Sequence, residues 1–174
     1  GALTERNTPT LFNRALGQRF MWRGEAGTLE EQVLLPISNP LEMALPLDQA
    51  VARLAASEEY ARAFEQVFGG PPTADRLASA LAAFVERLWL GDSPFDRFRA
   101  GERDALTVAE RGGMWFFQSR GQCWRCHGGP NLTDEEFHNT GVGSVEGVPL
   151  PGRFAVSADE ADRGAFKTPT LRGI

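Results

Sequence analysis

Two cysteines and a histidine stand together in the segment Cys123-Trp124-Arg125-Cys126-His127. The spacing C-x-x-C-H is typical of the covalent attachment of a c-type haem. Both thiols can add across the vinyl groups of a porphyrin, because a turn of helix presents two such sulfurs to one porphyrin edge. The adjacent imidazole then offers a nitrogen that suits iron as an axial ligand. The segment therefore predicts a haem on Cys123 and Cys126, with His127 bound to its iron.

Three other interpretations of this segment are open. A zinc site needs four ligands, and the other histidine, His138, does not stand at the usual spacing from His127. A thioredoxin-type redox pair follows a strand, and no strand pattern precedes Cys123. A disulfide between Cys123 and Cys126 would close a very short loop and stabilise little. Haem attachment is the interpretation that we favour.

The composition sets limits on the class of protein. The chain has 174 residues, with 42% hydrophobic and 24% charged, as in an ordinary globular protein. Its net charge of −5 argues against nucleic acid as a partner. No apolar run reaches the roughly 18 residues of a membrane span, and the first residues form no leader. Because covalent haem is installed outside the cytoplasmic membrane, the motif predicts a periplasmic protein whose leader preceded residue 1.

The sequence predicts a mainly α fold with long loops, built as cytochrome c-like domains around covalent haem. Before residue 46 the chain is irregular except for a short helix that begins after Thr28 and that Pro36 is expected to end. Three further helices are expected to follow the N-caps Asp48, Ser57 and Thr73, the last of them running to about Leu90.

A domain boundary is predicted at residues 91–94, which divides the chain into residues 1–92 and 93–174. In the second part, Thr107 and Glu110 form a capping box that opens a helix leading to the haem motif. The sequence after His127 is rich in glycine and proline and shows no convincing strand pairs. The polar tail that often closes a chain is missing after Thr170, and we expect the sequence to be a fragment.

The second axial ligand of the haem is not evident. Electron-transfer haems commonly use a methionine, but Met21, Met43 and Met114 all precede the motif. Met114 is better explained by packing. His138 stands only eleven residues after His127, so a hydrogen bond near the haem is favoured over a bond to iron. We expect the haem to be five-coordinate or to take its distal ligand from residues beyond the chain.

Several segments match a known family in order: residues 6–13, 22–26, 29–32, 36–43, 131–134, 137–141 and 164–172. With the C-x-x-C-H motif, they resemble the bacterial dihaem cytochrome c peroxidases, a family that includes the dihaem enzyme of methylamine dehydrogenase maturation. Members carry a peroxide-reacting haem in a first domain and an electron-transfer haem in a second. The resemblance implies that residues 1–92 end the first domain and residues 93–174 form most of the second. The first haem motif would then precede the chain, and the distal ligand, methionine or tyrosine by subgroup, would follow it.

The resemblance also implies roles for residues outside the motif. Glu42 matches a catalytic carboxylate that moves a proton on hydrogen peroxide, and Gln32 matches the amide beside it. Trp22 matches an electron relay between the two haems, and Asn7 a ligand of an interhaem calcium ion whose other ligands would follow the chain. Without the resemblance, these would be ordinary surface, core and turn residues.

Two cationic residues near the end of the chain are candidates for contacts with the haem. Lys167 and Arg172 could pair with haem propionates, although a solvated face explains them equally well.

The resemblance therefore implies a dihaem peroxidase that reduces hydrogen peroxide to water. Its electrons would come from a small donor protein, a cytochrome c or a cupredoxin, and a homodimer is compatible with the family. One alternative is a related dihaem oxidase that acts on a protein or another organic substrate. Another is a simple electron-transfer cytochrome with one haem, which a second C-x-x-C-H upstream would exclude.

Overall fold

The computed structural model describes residues 3–4, 6–142 and 144–174. Its helices are α1 (Leu29–Ser38), α2 (Leu47–Ala56), α3 (Glu58–Phe68), α4 (Ala74–Glu86), α5 (Pro94–Arg99), α6 (Val108–Gln118) and α7 (Phe154–Ser157). Short 3-10 turns lie at Arg14–Leu16, Arg103–Ala105, Cys123–Arg125 and Glu160–Asp162. Loops join these elements, and the prediction of a mainly α protein with long loops is confirmed.

The hydrophobic core of the first half forms where α1 packs on α4. The buried side chains of this core are Phe20, Ala26, Leu29, Ala82 and Val85, with Val33 packed against them. Leu29 of α1 and Ala82 and Val85 of α4 belong to the apolar stripes that these helices bury. The segment before α1 contributes Phe20 and Ala26, which form an antiparallel bridge. This packing fixes the position of the chain around Trp22.

The N-cap of α4 is confirmed, but its predicted end is wrong. The Thr73 hydroxyl accepts a hydrogen bond from the Arg76 amide at 3.2 Å. The helix ends at Glu86 rather than near Leu90. Its last turn tightens, because the amide of Leu88 bonds to the carbonyl of Val85 only three residues earlier.

Pro36 does not end α1 as predicted, and the helix continues to Ser38. A proline in the last turn removes one backbone hydrogen bond. The turn still closes, because the Asn39 amide donates to the Leu35 carbonyl at 3.1 Å. The prediction that Thr28 opens this helix is confirmed by its hydrogen bond from the Glu31 amide.

The prediction that Asp48 is the N-cap of α2 is wrong. The helix begins at Leu47 after Pro46, and Asp48 lies in its first turn. A carboxylate there still interacts favourably with the positive end of the helix dipole. Ser57 does precede α3, although its side chain makes no capping hydrogen bond.

Helix α5 was not predicted. It begins directly after the proposed boundary, where Ser93 and Asp96 form a capping box. Helix α6 begins with the predicted capping box of Thr107 and Glu110. It ends at Gln118, a few residues before the haem motif, as the sequence indicated.

Short strands pair after the motif, where the sequence showed no convincing pairs. Strand β1 (Phe137–His138) lies antiparallel to β4 (Phe166–Lys167), and β2 (Ser144–Val145) lies antiparallel to β3 (Val148–Pro149). The strands have two residues each, too few for a period-two pattern to appear in the sequence. The first pair places His138 opposite Phe166.

Among the described residues, no helix has both the length and the apolar character needed to cross a membrane.

Candidate functional site

A single turn presents the two cysteines and the histidine together. The 3-10 turn Cys123–Arg125 follows α6, and the amides of Cys126 and His127 both donate to the Cys123 carbonyl, at 3.3 and 2.9 Å. Both thiols are free, Cys123 exposed and Cys126 half-buried. The chain leaves the turn at Gly128, where a Cβ atom would lie 2.7 Å from the Trp124 carbonyl oxygen. The geometry therefore requires glycine directly after His127.

These three side chains open on a cavity of about 680 Å³, which we call the attachment cavity. Its other walls are formed by Thr4, Arg6, Asn7, Trp22, Gln122, His138, Thr140, Val142, Phe166, Lys167, Thr168 and Pro169. The volume lies within the usual range for small-molecule and cofactor sites.

The residues of the attachment cavity fit a covalent haem. The Nδ1 atom of His127 is buried without a hydrogen-bond partner among the described residues, which is uncommon for a buried polar atom. Two free thiols lie on the same cavity, one turn of backbone from the imidazole. The donor set of two thiols and one imidazole thus agrees with the motif.

A second cavity, of about 630 Å³, lies on the side of His127 that faces α6. Met114 and Phe117 of that helix line it together with Trp124 and Leu171. Met114 is therefore half-buried at a cavity wall. This position agrees with packing rather than with a bond to iron in the attachment cavity.

His138 lies on the attachment cavity and is held by a carboxylate. Its Nε2 atom lies 2.7 Å from Asp134 Oδ2. Burial, the largest influence, raises the pKa of Asp134, but hydrogen bonds from His138, the Glu136 amide and Thr168 outweigh it, and the net pKa is lowered. The prediction that His138 makes a hydrogen bond near the motif agrees with this geometry.

The same region brings together a set of metal-ligand atoms that the sequence did not indicate. One ligand atom each of Cys126, Asp134 and His138 lies within 4.8 Å of the others. The close approach of Asp134 and His138 is already explained by their hydrogen bond. This group has three members, whereas a structural zinc site needs four ligands. Cys126 also belongs to the haem motif.

Trp22 is held in the wall of the attachment cavity by two hydrogen bonds. Its indole Nε1 donates to the Asn7 carbonyl at 2.7 Å. Its own carbonyl accepts from the Lys167 amide at 2.9 Å. Trp22 also lines a smaller neighbouring cavity of about 230 Å³. The indole thus lines two cavities, and the electron-relay role that the resemblance implies for it stays a prediction.

A buried charge cluster lies beside Trp22. Arg14 pairs with Glu135 at 3.0 Å, and the Lys167 ammonium contacts the same carboxylate and the Arg19 carbonyl. Burial, the largest influence, lowers the pKa of Lys167, and Arg14 adds to this effect while Glu135 opposes it. The cluster joins the segment before α1 to the loop and strand that follow the motif.

Arg172 has a carboxylate partner within the chain. Its guanidinium makes two hydrogen bonds to Asp96, at 2.9 and 2.8 Å, and its Nε atom donates to the Pro130 carbonyl at 2.7 Å. This pair argues against the interpretation of Arg172 as a propionate partner, because its charge is already satisfied. The alternative of a solvated face does not hold, since the Arg172 side chain is only 12% exposed. The pair instead connects α5 to the loop that follows His127.

We expect the Asp96–Arg172 pair to stabilise the fold above acidic pH. Hydrogen bonds from Arg172, the largest influence, and from Ser93 hold the pKa of Asp96 well below its usual range, although burial opposes them. A carboxyl with a lowered folded-state pKa contributes stability above its unfolded pKa, here 3.8, and loses that contribution as the pH falls. Asp96→Asn should lower the free energy of unfolding by about 2 kcal/mol at pH 7.

The measurement is urea unfolding of both proteins between pH 7 and pH 2. The difference in the free energy of unfolding between the two proteins should shrink when the pH falls below the ordinary pKa of an aspartate. The matched control is Asp48→Asn, since Asp48 lies in the first turn of α2 and makes no ion pair with another described residue. An equal loss in the two variants, or a difference that persists at pH 2, would contradict the assignment.

The sequence profile described as "Di-haem cytochrome c peroxidase" matches residues 1–104. The chain belongs to the dihaem cytochrome c peroxidase family.

Its relatives carry two kinds of name. The chain is 37% identical over 171 residues to the methylamine utilization protein MauG of Methylorubrum extorquens, covering 97% of this chain and 48% of that protein. It is also 37% identical over 171 residues to a cytochrome c551 peroxidase of Nitrosomonas europaea, with 97% and 51% covered. Among crystal structures, a MauG-like protein associated with microbial copper homeostasis superposes with a TM-score of 0.84 at 31% identity, covering 98% of this chain and 56% of that one. The chain spans about half the length of the curated relatives it matches.

The peroxidase-family residues Gln32 and Glu42 lie apart from the attachment cavity. Gln32 is half-buried on α1, and its Nε2 atom contacts the sulfur of Met21 at 3.9 Å. Glu42 is exposed in the turn after α1, where its carboxylate accepts a hydrogen bond from Asn39 Nδ2 at 2.8 Å. No hydrogen bond joins the two among the described side chains. Gln32 thus contacts Met21, the residue before Trp22 in the chain, whereas Glu42 lies beyond the C-terminal end of α1.

Sequence reasoning missed three site residues in this member of the family. Arg6 lines the attachment cavity, Asp96 holds Arg172, and Glu135 holds Lys167. Asp96 had a detectable signal, because a serine three residues earlier forms the capping-box pattern. Arg6 and Glu135 had no such signal, because the residues that they contact, Phe166 and Lys167, lie far from them in the sequence.

Proposed function

We propose that this chain is part of a dihaem c-type peroxidase that reduces hydrogen peroxide to water. In this proposal residues 93–174 form an electron-transfer domain and residues 1–92 end a peroxidatic domain. The observation that carries the proposal is the attachment cavity, on which Cys123, Cys126 and His127 open together with Trp22. The names of relatives such as the Nitrosomonas europaea enzyme support the activity.

The haem site follows from the side chains of the turn. Cys123 and Cys126 would hold the porphyrin by thioether bonds, and His127 would bind its iron. When bound, the haem supplies one-electron transfer. Gly128 keeps the turn tight, and the loop held by Arg172 lies directly beyond it. The protein's contribution here is to orient the group and to limit the access of water.

Trp22 would carry electrons between the two halves of the enzyme. Its hydrogen bonds to Asn7 and to the Lys167 amide fix the indole in the cavity wall. Fixed geometry favours transfer because the distance and orientation of the oxidisable ring do not vary. The Asn7 contact also connects this relay to the proposed calcium ligand.

Glu42 and Gln32 would assist the peroxide chemistry. A carboxylate such as the Glu42 Oε atoms can accept a proton from hydrogen peroxide and return it to the leaving oxygen. Asn39 donates to this carboxylate at 2.8 Å and so orients it. Gln32 would donate a hydrogen bond from its side-chain amide to the hydrogen peroxide.

Asn7 would be one ligand of a calcium ion. Calcium takes about six to eight oxygen ligands, so Asn7 needs several partners. We further propose a periplasmic location, a small donor protein such as a cytochrome c or a cupredoxin, and a homodimer compatible with the family.

A second candidate function is a dihaem oxidase that acts on a protein or another organic substrate. The observation that favours it is the equal identity, 37%, to a MauG protein and to a cytochrome c551 peroxidase. Steady-state assays on the haem-loaded protein separate the two functions. The peroxidase proposal predicts rapid consumption of peroxide with a reduced donor protein, and slow consumption under those conditions would favour the oxidase.

Trp22→Phe should slow donor-driven peroxide turnover without changing haem content. Phenylalanine is harder to oxidise and cannot donate to the Asn7 carbonyl. We expect a loss of about tenfold or more, equivalent to roughly 1.4 kcal/mol in the barrier. The control is Trp89→Phe, because Trp89 is exposed and lies outside the attachment cavity. Equal turnover in both variants would show that Trp22 is not the relay.

A further inference from the structure

The attachment cavity has an unusual charge for this protein. The chain as a whole carries a net charge of −5. Among the described residues that line the cavity, Arg6 and Lys167 are cationic and none is a carboxylate. A cavity that collects positive charge within an acidic protein is suited to an anionic ligand.

Arg6 offers an unused guanidinium. It is half-buried, and its Cζ atom lies 4.1 Å from the centre of the Phe166 ring. It makes no ion pair with a described carboxylate. Stacking on an aromatic face holds the planar group while leaving its edge N–H donors available. Such an edge binds a carboxylate through two parallel hydrogen bonds.

Lys167 belongs to a buried cluster with excess positive charge. Its side chain is 8% exposed, and it shares Glu135 with Arg14. Two cations therefore share one carboxylate among the described residues, which leaves one positive charge without a partner. Burial makes an unpaired charge costly, so a second anion at this place would be stabilising.

We propose that Arg6 and Lys167 bind the propionate carboxylates of the haem that Cys123 and Cys126 attach. The inference depends on the haem of the proposed function and adds the residues that bind its acidic edge. A haem carries two propionates on the porphyrin edge opposite its thioether positions, and the cavity that the thiols line also offers two cations. Arg6 replaces Arg172 as the second propionate partner beside Lys167, because the charge of Arg172 is satisfied by Asp96.

The binding has an electrostatic consequence that can be measured. Reduction adds an electron to the haem, so a nearby cation favours the reduced state. In the haem-loaded full-length protein, Arg6→Gln should lower the ratio of reduced to oxidised haem at a fixed solution potential by about three- to tenfold. This is the effect of one charge acting over roughly 10 Å in a partly solvated medium. The readout is a redox titration of the haem held by Cys123 and Cys126.

Two further variants distinguish charge from structure. Arg6→Lys keeps the positive charge, so the reduction potential of its haem should lie close to that of the unmodified protein. Arg163→Gln removes an arginine that is stacked 4.0 Å above Phe154 but lies outside the attachment cavity, and it should leave the potential unchanged. Lys167→Gln should shift the potential in the same direction as Arg6→Gln. If Lys167→Gln does not fold, the Arg6 series decides alone.

The outcomes separate the inference from the proposed function. Covalent haem content is measured first, and its absence would reject the proposed function and the inference with it. If haem is attached and Arg6→Gln titrates like Arg163→Gln, the propionate assignment is wrong while the haem site stands. A shift that Arg6→Lys reverses supports the assignment.

Discussion

Glu42→Gln is expected to lower peroxide turnover by about a hundredfold or more, the usual contribution of a general acid–base group. Glutamine keeps the size of the side chain and an oxygen that can accept from Asn39, which donates to Glu42 at 2.8 Å. It cannot take a proton from peroxide at neutral pH. The loss should therefore appear in turnover with peroxide, while the covalent haem content and donor-driven reduction of the protein stay unchanged.

The matched control for this prediction is Glu30→Gln. Glu30 lies in the first turn of α1, the same helix that leads to Glu42, and its side chain is exposed. Turnover of the control should remain close to that of the unmodified protein. If Glu42→Gln and Glu30→Gln behave alike, the carboxylate has no role in the chemistry and the resemblance has misplaced the catalytic base.

The double substitution Cys123→Ser with Cys126→Ser should abolish covalent haem. Serine preserves the shape of the turn, in which the amides of Cys126 and His127 bond to the Cys123 carbonyl. Its hydroxyl does not form the thioether. After denaturation and acid–acetone extraction, the variant should retain no haem bound through this motif.

The control for the cysteine prediction is His138→Gln. His138 lies on the same cavity and interacts with Asp134, but it has no part in attachment. The variant should keep its covalent haem. Retention of haem by the double serine variant at this site, or complete loss in His138→Gln, would contradict the assignment of the thiols.

Local sequence signals predicted the elements that carry the motif. The spacing of Cys123, Cys126 and His127 is a local property, and the structure places all three on one cavity. The capping signals of Thr73 and Thr107 likewise depend on residues within one turn, and both caps are present. The resemblance added Trp22, and the structure places it in the wall of that cavity.

Long-range pairing was beyond sequence reasoning. Arg14 meets Glu135 across 121 positions, and Arg172 meets Asp96 across 76. No local pattern encodes these partners, so Arg172 seemed available for a propionate and Arg6 was overlooked. Pro36 shows a different limit. Its effect on a helix depends on how near the end it falls, because a proline in the last turn breaks only one backbone bond.

Electron density for the segment Cys123–His127 in crystals of the purified full-length protein would show directly whether the haem is attached there. We expect continuous density from both sulfurs to the porphyrin edge, with a nitrogen of His127 bound to the iron. Free thiols, a cystine bridge, or a tetrahedral metal held by Cys126, Asp134 and His138 would contradict it.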